Sequence, residues 1–333
     1  MRSAQETQQL AAEILANMRA LLHGRRIRIM EVCGTHTVAI FRAGLRQILP
    51  EGIELVSGPG CPVCVTADDY IDAAIAYAGM EDVIITTFGD MLKVPGTRSS
   101  LAEAQAQGAD VHIVYSPLDA LAIAADNPAK QVVFLAVGFE TTAPTEAAAV
   151  LAAKEQGLRN FFLLSAQKLV PPVMRALLEG GETHVDGFLL PGHVSVVTGT
   201  EGFDFLARDY SVPGVVGGFE PLEILRAVDL LVRQIAAGEA RIENAYESVV
   251  RREGNPVARA AIARVYEPAS VRWRGLGTIP ASGLSMREEY AQYDFARVRP
   301  LSIETQGDGR HGCRCGEVLR GAIAPRDCAL FGR

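Results

Sequence analysis

Between residues 27 and about 237 the chain alternates short apolar runs with stretches of helical spacing, and this alternation constrains the fold more than any other feature. Eight runs read as β-strands: Ile27–Val32, Ile53–Val56, Val83–Phe88, Val111–Tyr115, Val132–Val137, Phe161–Ser165, Gly187–Leu190 and Gly214–Val216. Between them Val38, Phe41, Leu45 and Ile48 recur at roughly helical spacing, as do Ile71, Ala74, Ile75 and Ala78, and the Ala-rich stretches 119–125 and 146–153 favour helix. Strands alternating with helices imply α/β domains with parallel sheets. A hydrophobic content of 49% suits strands buried on both faces.

Two similar parallel-sheet α/β domains facing a cleft are therefore expected, with a smaller C-terminal region. Gly138-Phe-Glu140 and Gly218-Phe-Glu220 each follow an apolar run and precede a helix, a faint internal repeat. The chain is read as a first domain over 1–120, a second over 121–237 and a cysteine-containing region over 238–333. In that last region Gly275–Gly283 reads as a loop.

A net charge of −7 and the lack of any long Lys/Arg block argue against a nucleic-acid partner. Met1–Leu22 has helical spacing but no continuous apolar core, and no run reaches the ~20 apolar residues that span a bilayer. A cytoplasmic protein without membrane association is expected. In that compartment six cysteines are metal-binding, redox-active or buried rather than a disulfide framework.

Two groups hold all six: Cys33, Cys61 and Cys64, then Cys313, Cys315 and Cys328. Cys33-Gly-Thr-His-Thr37 follows the first run and opens a helix, so the helix dipole favours the thiolate of Cys33. His36 is a ligand, proton relay or orienting group, and Thr35 or Thr37 is a candidate helix cap. Gly58-Pro-Gly-Cys-Pro-Val-Cys64 places two thiols two residues apart in a turn stiffened by prolines, suited to a reducible disulfide or a soft metal. Thr66-x-x-Asp69 reads as the capping box of the next helix. Further loops, Phe88–Pro95, Gly138–Thr142, Pro191–His193 and Gly217–Glu220, carry acids, histidine and threonine at strand ends. No G-x-G-x-x-G or G-x-x-x-x-G-K-[ST] occurs, so a nucleotide is not expected. Cys313-Arg-Cys-Gly316 with Cys328 resembles part of a cluster-binding segment, with His311 as a candidate fourth ligand.

These motifs, with Phe88-Gly-Asp-Met-Leu-Lys-Val-Pro-Gly96, Leu190-Pro-Gly-His-Val-Ser195 and Gly218-Phe-Glu-Pro-Leu-Glu223, resemble the HypD family of [NiFe]-hydrogenase maturation factors, in the same order from about residue 30 onward. The resemblance implies a scaffold for assembling the Fe(CN)₂CO unit. It implies HypC as partner, and through HypC the hydrogenase large subunit, with cyanide delivered by HypE and HypF upstream. Cys33 is then the iron-binding thiolate, Cys61 and Cys64 a redox pair that also counts among the iron ligands, and Thr35 and His36 position the diatomic ligands. A [4Fe-4S] cluster is implied in the C-terminal region, where Cys313 and Cys328 match the first two ligands and Cys315 is an additional thiol. Two further family cysteines have no counterpart here, so a truncated cluster domain is expected. Two other classes stand beside this reading. A thiol–disulfide oxidoreductase would use Cys61 and Cys64, and a structural zinc protein would lose stability with chelators.

Overall fold

The computed structural model describes residues 3–302 and 312–332. Its strands are β1 (Ile27–Glu31), β2 (Ile53–Ser57), β3 (Val83–Thr87), β4 (Val111–Ile113), β5 (Gln131–Ala136), β6 (Phe161–Ser165), β7 (Gly187–Pro191), β8 (Gly214–Gly217), β9 (Ile242–Asn244), β10 (Tyr266–Trp273) and β11 (Gly277–Met286). The first eight are the runs read from the sequence. Helices join them, and both large sheets are parallel. Every residue of β3 is buried, as parallel strands covered on both faces require. The α/β class is borne out.

The chain packs into two compact units, and neither is contiguous. The first comprises Met1–Cys61, Val173–Pro256 and Arg314–Arg333, and the second Pro62–Pro172 and Val257–Cys313. These bounds differ from a division at 120 and 237. β1 pairs with β7 as well as with β2, so the chain reaches the second neighbour of β1 only after passing through the first segment of the second unit, Pro62–Pro172.

The first sheet has the order β2-β1-β7-β8-β9 and the second β4-β3-β5-β6. Counted within each unit, both run second, first, third, fourth, and the first sheet adds β9 as a fifth strand. The strand order reverses between β1 and β7 in one and between β3 and β5 in the other, and open sheets of this kind bind ligands outside the carboxyl ends of the strands at such a point. The Gly-Phe-Glu recurrence does not mark this likeness. Gly138 follows β5, the third strand of its sheet, whereas Gly218 follows β8, the fourth.

In the first unit, Ile14, Met18 and Leu22 of the Ala4–Leu22 helix share a core with Ile224, Val228 and Leu231 of the Pro221–Ala237 helix and with Ile29 and Leu189 of the sheet. In the second, the helix Ala143–Gln156 buries Ala147 and Val150 against Phe134 and Leu163.

The region after 238 is not a separate body. Residues up to 256 continue the first unit, residues 257–302 belong to the second, and the described tail from Arg314 packs with the first. The stretch Gly275–Gly283, expected as a loop, enters the second strand of an antiparallel hairpin, with Tyr266 opposite Met286 and Trp273 opposite Gly277. Its glycines and Pro280 are tolerated because β11 is an edge strand of a two-stranded sheet, with no more than an isolated bridge from Gly283 to Lys168 on its other side among the described residues. Tyr266, Leu284 and Met286 join the core of the second unit. Among the described residues no helix is long and apolar enough to cross a membrane.

Candidate functional site

β1 delivers Cys33 to the carboxyl edge of the first sheet, beside β7, where the strand order reverses. Cys33 is itself the N-cap residue of the Gly34–Arg42 helix, with extended backbone at φ −149° and ψ 120°. Neither Thr35 nor Thr37 caps that helix. The Thr37 hydroxyl bonds back to the Cys33 carbonyl at 3.4 Å.

The Cys33 thiol is 9% exposed. Burial pushes its pKa up, against the amides of His36 and Thr35 and the Thr35 hydroxyl, which stabilise negative charge on sulfur; the Glu31 carboxyl opposes them. The result is a neutral thiol set among donors, ready to surrender its proton to a metal that takes its place.

The Gly58-Pro-Gly turn leans directly on this residue. Gly34 N–H donates to Gly60 O at 2.7 Å, and Gly58 N–H to Glu31 O at 2.8 Å. A Cβ on Gly60 would lie 2.1 Å from Cys33 N, and one on Gly58 2.6 Å from Met30 Sδ, so backbone passes where any side chain would collide. A Cβ on Gly34 would stand 3.4 Å from Cys61 Cβ. Cys33 and Cys61 are thus brought together on one unit.

Cys64 is exposed and falls to the second unit. The expected capping box is absent there. Ala67 is the N-cap of the Asp68–Ala78 helix, and the Thr66 hydroxyl donates instead to Pro62 O at 2.8 Å, bracing the turn that carries Cys64.

His36 is fully buried and bonds through Nε2 to Gly218 O at 2.9 Å. A carbonyl only accepts, so the proton sits on Nε2 and Nδ1 carries the lone pair. Burial lowers its pKa to about 4, against the Gly218 and Gly217 carbonyls, and the ring is neutral. Nδ1 is buried without a partner among the described residues. Phe219 lies against the His36 ring at 4.7 Å between centroids and stacks on His193 at 3.9 Å.

Glu31, which the sequence reading missed, is 1% exposed at the end of β1. Its Oε1 accepts from Arg46 Nη2 at 2.7 Å and Ser57 Oγ at 2.9 Å, while Oε2 is buried with no partner among the described residues. Burial raises its pKa, with Ser57 and Arg46 opposing. The one signal in sequence was a carboxylate inside the apolar run that leads to Cys33.

The second unit holds a buried polar group of its own, also missed apart from Glu140 and Thr142. Gln167 Nε2 donates to Thr142 Oγ1 at 2.8 Å and Glu146 Oε1 at 2.6 Å, and the Glu140 carboxylate accepts from Val170 N–H at 3.0 Å. Burial raises the pKa of Glu146 to about 8 and that of Glu140 to about 7.

The C-terminal region carries Cys313, Cys315 and Cys328. The described residues supply three thiols, whereas a four-iron cluster takes four. Cys313 is exposed and closes the second unit, while Cys315 and Cys328 are half-buried in the first. The amides of Arg314 and Leu330 hold the Cys328 thiol below its ordinary pKa. His311 lies outside the described residues. Among those residues no three His, Cys, Asp or Glu side chains converge as a metal site.

A family model described as "HypD: Hydrogenase formation hypA family" matches residues 6–333. The hydrogenase maturation factor HypD of Escherichia coli K12 is 47% identical over 310 residues, covering 92% of this chain and 83% of that protein. That of Rhodobacter capsulatus is 46% identical over 330 residues, with coverages of 97% and 88%. A putative hydrogenase expression/formation protein of Methanocaldococcus jannaschii is 43% identical over 307 residues, covering 92% and 85%.

Proposed function

The chain belongs to the HypD family of hydrogenase maturation factors, and from that membership we propose that it is the scaffold on which the Fe(CN)₂CO unit of [NiFe]-hydrogenase is assembled. The iron unit is cargo here. Cys33 receives it, HypC shares it and carries it to the hydrogenase large subunit, and HypE, supplied by HypF, brings the cyanide groups. The work is proposed to occur in the cytoplasm.

The observation that carries this reading is the setting of Cys33: a buried thiol at a helix N-terminus, at the reversal of strand order, beside Cys61 and an uncharged imidazole. Soft thiolate suits iron bearing strong π-accepting ligands. The Thr35 and His36 amides offset the charge of a thiolate once the proton has left. Neutral His36 adds no positive charge and is held in one orientation by Gly218, so it positions rather than protonates. Cys61 and Cys64 are the redox pair in this scheme, and the [4Fe-4S] cluster of the family is not used in it.

Anaerobic co-purification with HypC, followed by infrared spectroscopy, tests the assignment. Cys33→Ala should abolish the CN and CO stretching bands and hydrogenase maturation. Bands retained in that variant refute it. Thiol trapping with mass spectrometry should show Cys61 and Cys64 gaining two protons together on reduction. A pair that stays reduced in mild oxidant while holding stoichiometric zinc points to a structural metal site instead.

A further inference from the structure

The second unit sets three cations against two carboxylates near the turn that follows Cys64. Arg272 Nη1 bonds Asp69 Oδ2 at 3.0 Å. Arg274 Nη2 pairs with Asp68 and donates to Pro95 O at 3.2 Å. Lys168 is the third cation, and among the described residues it has no carboxylate of its own. It is 2% exposed, and its Nζ reaches one acceptor, the Ala166 carbonyl two residues back, at 3.3 Å.

The backbone fixes these groups to one another. Thr66 bridges Trp273, Arg274 N–H donates to Val65 O at 2.9 Å, and Lys168 bridges Gly283 on the second strand of the hairpin. Lys168 Nζ stands 5.7 Å from the centre of the Trp273 ring, whose face offsets part of the cost of burying the charge. Asp69 and Arg274 are the charged groups that face it. Arg274 Nε is also buried with no acceptor among the described residues.

An ammonium carries three donors and a guanidinium five, and buried donors are almost always satisfied. Here the Lys168 ammonium is under-used, Arg274 Nε is orphaned, and one positive charge is in excess. We propose that Lys168 and Arg274 form a binding site for a small monovalent anion, held between Lys168 Nζ and Arg274 Nε beside Trp273. A single surplus charge selects a monovalent ligand. The flexible lysine tail admits an ion of a few atoms without disturbing the ion pairs of Asp68 and Asp69.

Trp273 is the chain's one tryptophan and is fully buried, so its fluorescence reports on this position alone. Iodide titrated into the full chain at constant ionic strength should give saturable quenching. Lys168→Met should leave only a weak linear response, while Lys168→Arg, which keeps the charge, should retain saturation. Binding should weaken about tenfold between pH 7 and pH 9, because burial lowers the Lys168 pKa to about 8. Linear quenching of the wild-type chain, or equal saturation in Lys168→Met, overturns the site. Should Lys168→Met fail to fold, wild-type affinity that does not change with pH overturns it. The readout needs neither iron nor a partner, so its failure and a failure of the assembly role are told apart.

Discussion

The two sheets share a strand order and differ in what they bury beyond their carboxyl ends. The first surrounds a thiol with helix amides and an uncharged base, His36. The second buries two acids whose pKa burial raises, Glu140 to about 7 and Glu146 to about 8, the latter bonded to Gln167, which also bonds Thr142. One architecture thus buries a thiol beside a turn in one unit and ties a loop with hydrogen-bonded carboxyls of raised pKa in the other. The glycines sharpen the contrast. Gly60 exists because backbone passes it: its missing Cβ would meet Cys33 N. Gly138 exists because side chains pass it, with Thr142 Oγ1 at 1.8 Å and Gln167 Nε2 at 2.7 Å from the same missing atom.

The largest effect should come from that pair. Gly60→Ala forces the Cys33 backbone to move and should cost roughly 3 kcal/mol, the upper end of overpacking. It should also remove maturation activity. Gly138→Ala meets groups that can rotate, at the cost of the Gln167–Thr142 bond, and should cost about 1–2 kcal/mol. Denaturant unfolding of both variants decides it, and equal losses would erase the distinction between the units.

A smaller effect should follow from His36→Leu, which leaves the Gly218 carbonyl buried without its donor, a loss of about 1–3 kcal/mol. His36→Gln retains an N–H and should recover part of the stability. If the two variants unfold alike in denaturant, the Nε2 bond is not what holds the ring.

Much of this was legible in the chain. Buried parallel strands are continuous apolar runs cut off by glycine and proline, so β1 to β8 could be read directly. Cys33 and Cys61 announced themselves because glycines crowd around them for steric reasons. The discontinuous units could not be read, since nothing in the run Ile27–Val32 records that its second neighbour, β7, lies some 160 residues away. Gly277–Met286 was hidden because its glycines and proline read as a loop, and only pairing with β10 makes it a strand. Glu31, Glu146, Gln167 and Lys168 are single polar residues whose burial depends on tertiary partners, and local pattern carries no trace of those. The Thr66 cap failed for a related reason: a nearer acceptor, Pro62 O, claimed the hydroxyl.

The last comparison separates the units by the sign of their pH dependence. Glu146 has its pKa raised by burial from 4.5 to about 8, so the folded chain holds a proton that the unfolded chain releases. Its contribution is fully present below pH 4.5 and is lost as pH rises toward 8, by up to ~1.4 kcal/mol per pH unit in that window. Glu140 acts in the same direction over a narrower range, since its pKa reaches about 7. His36 acts in the opposite direction. Its pKa falls from 6.5 to about 4, so its contribution is present above 6.5 and lost as pH falls toward 4. Gln167 Nε2 already donates to Glu146 Oε1, which leaves Oε2 as the protonated oxygen. Glu146→Gln places an amide N–H₂ there and keeps the acceptor that Gln167 uses. The variant should therefore match the wild type near pH 5 and exceed it at pH 8, flattening the alkaline slope while leaving the acid limb unchanged. Unfolding midpoints measured from pH 5 to pH 9 read this directly, and an unaltered alkaline slope would show that Glu146 is ionised in the folded chain.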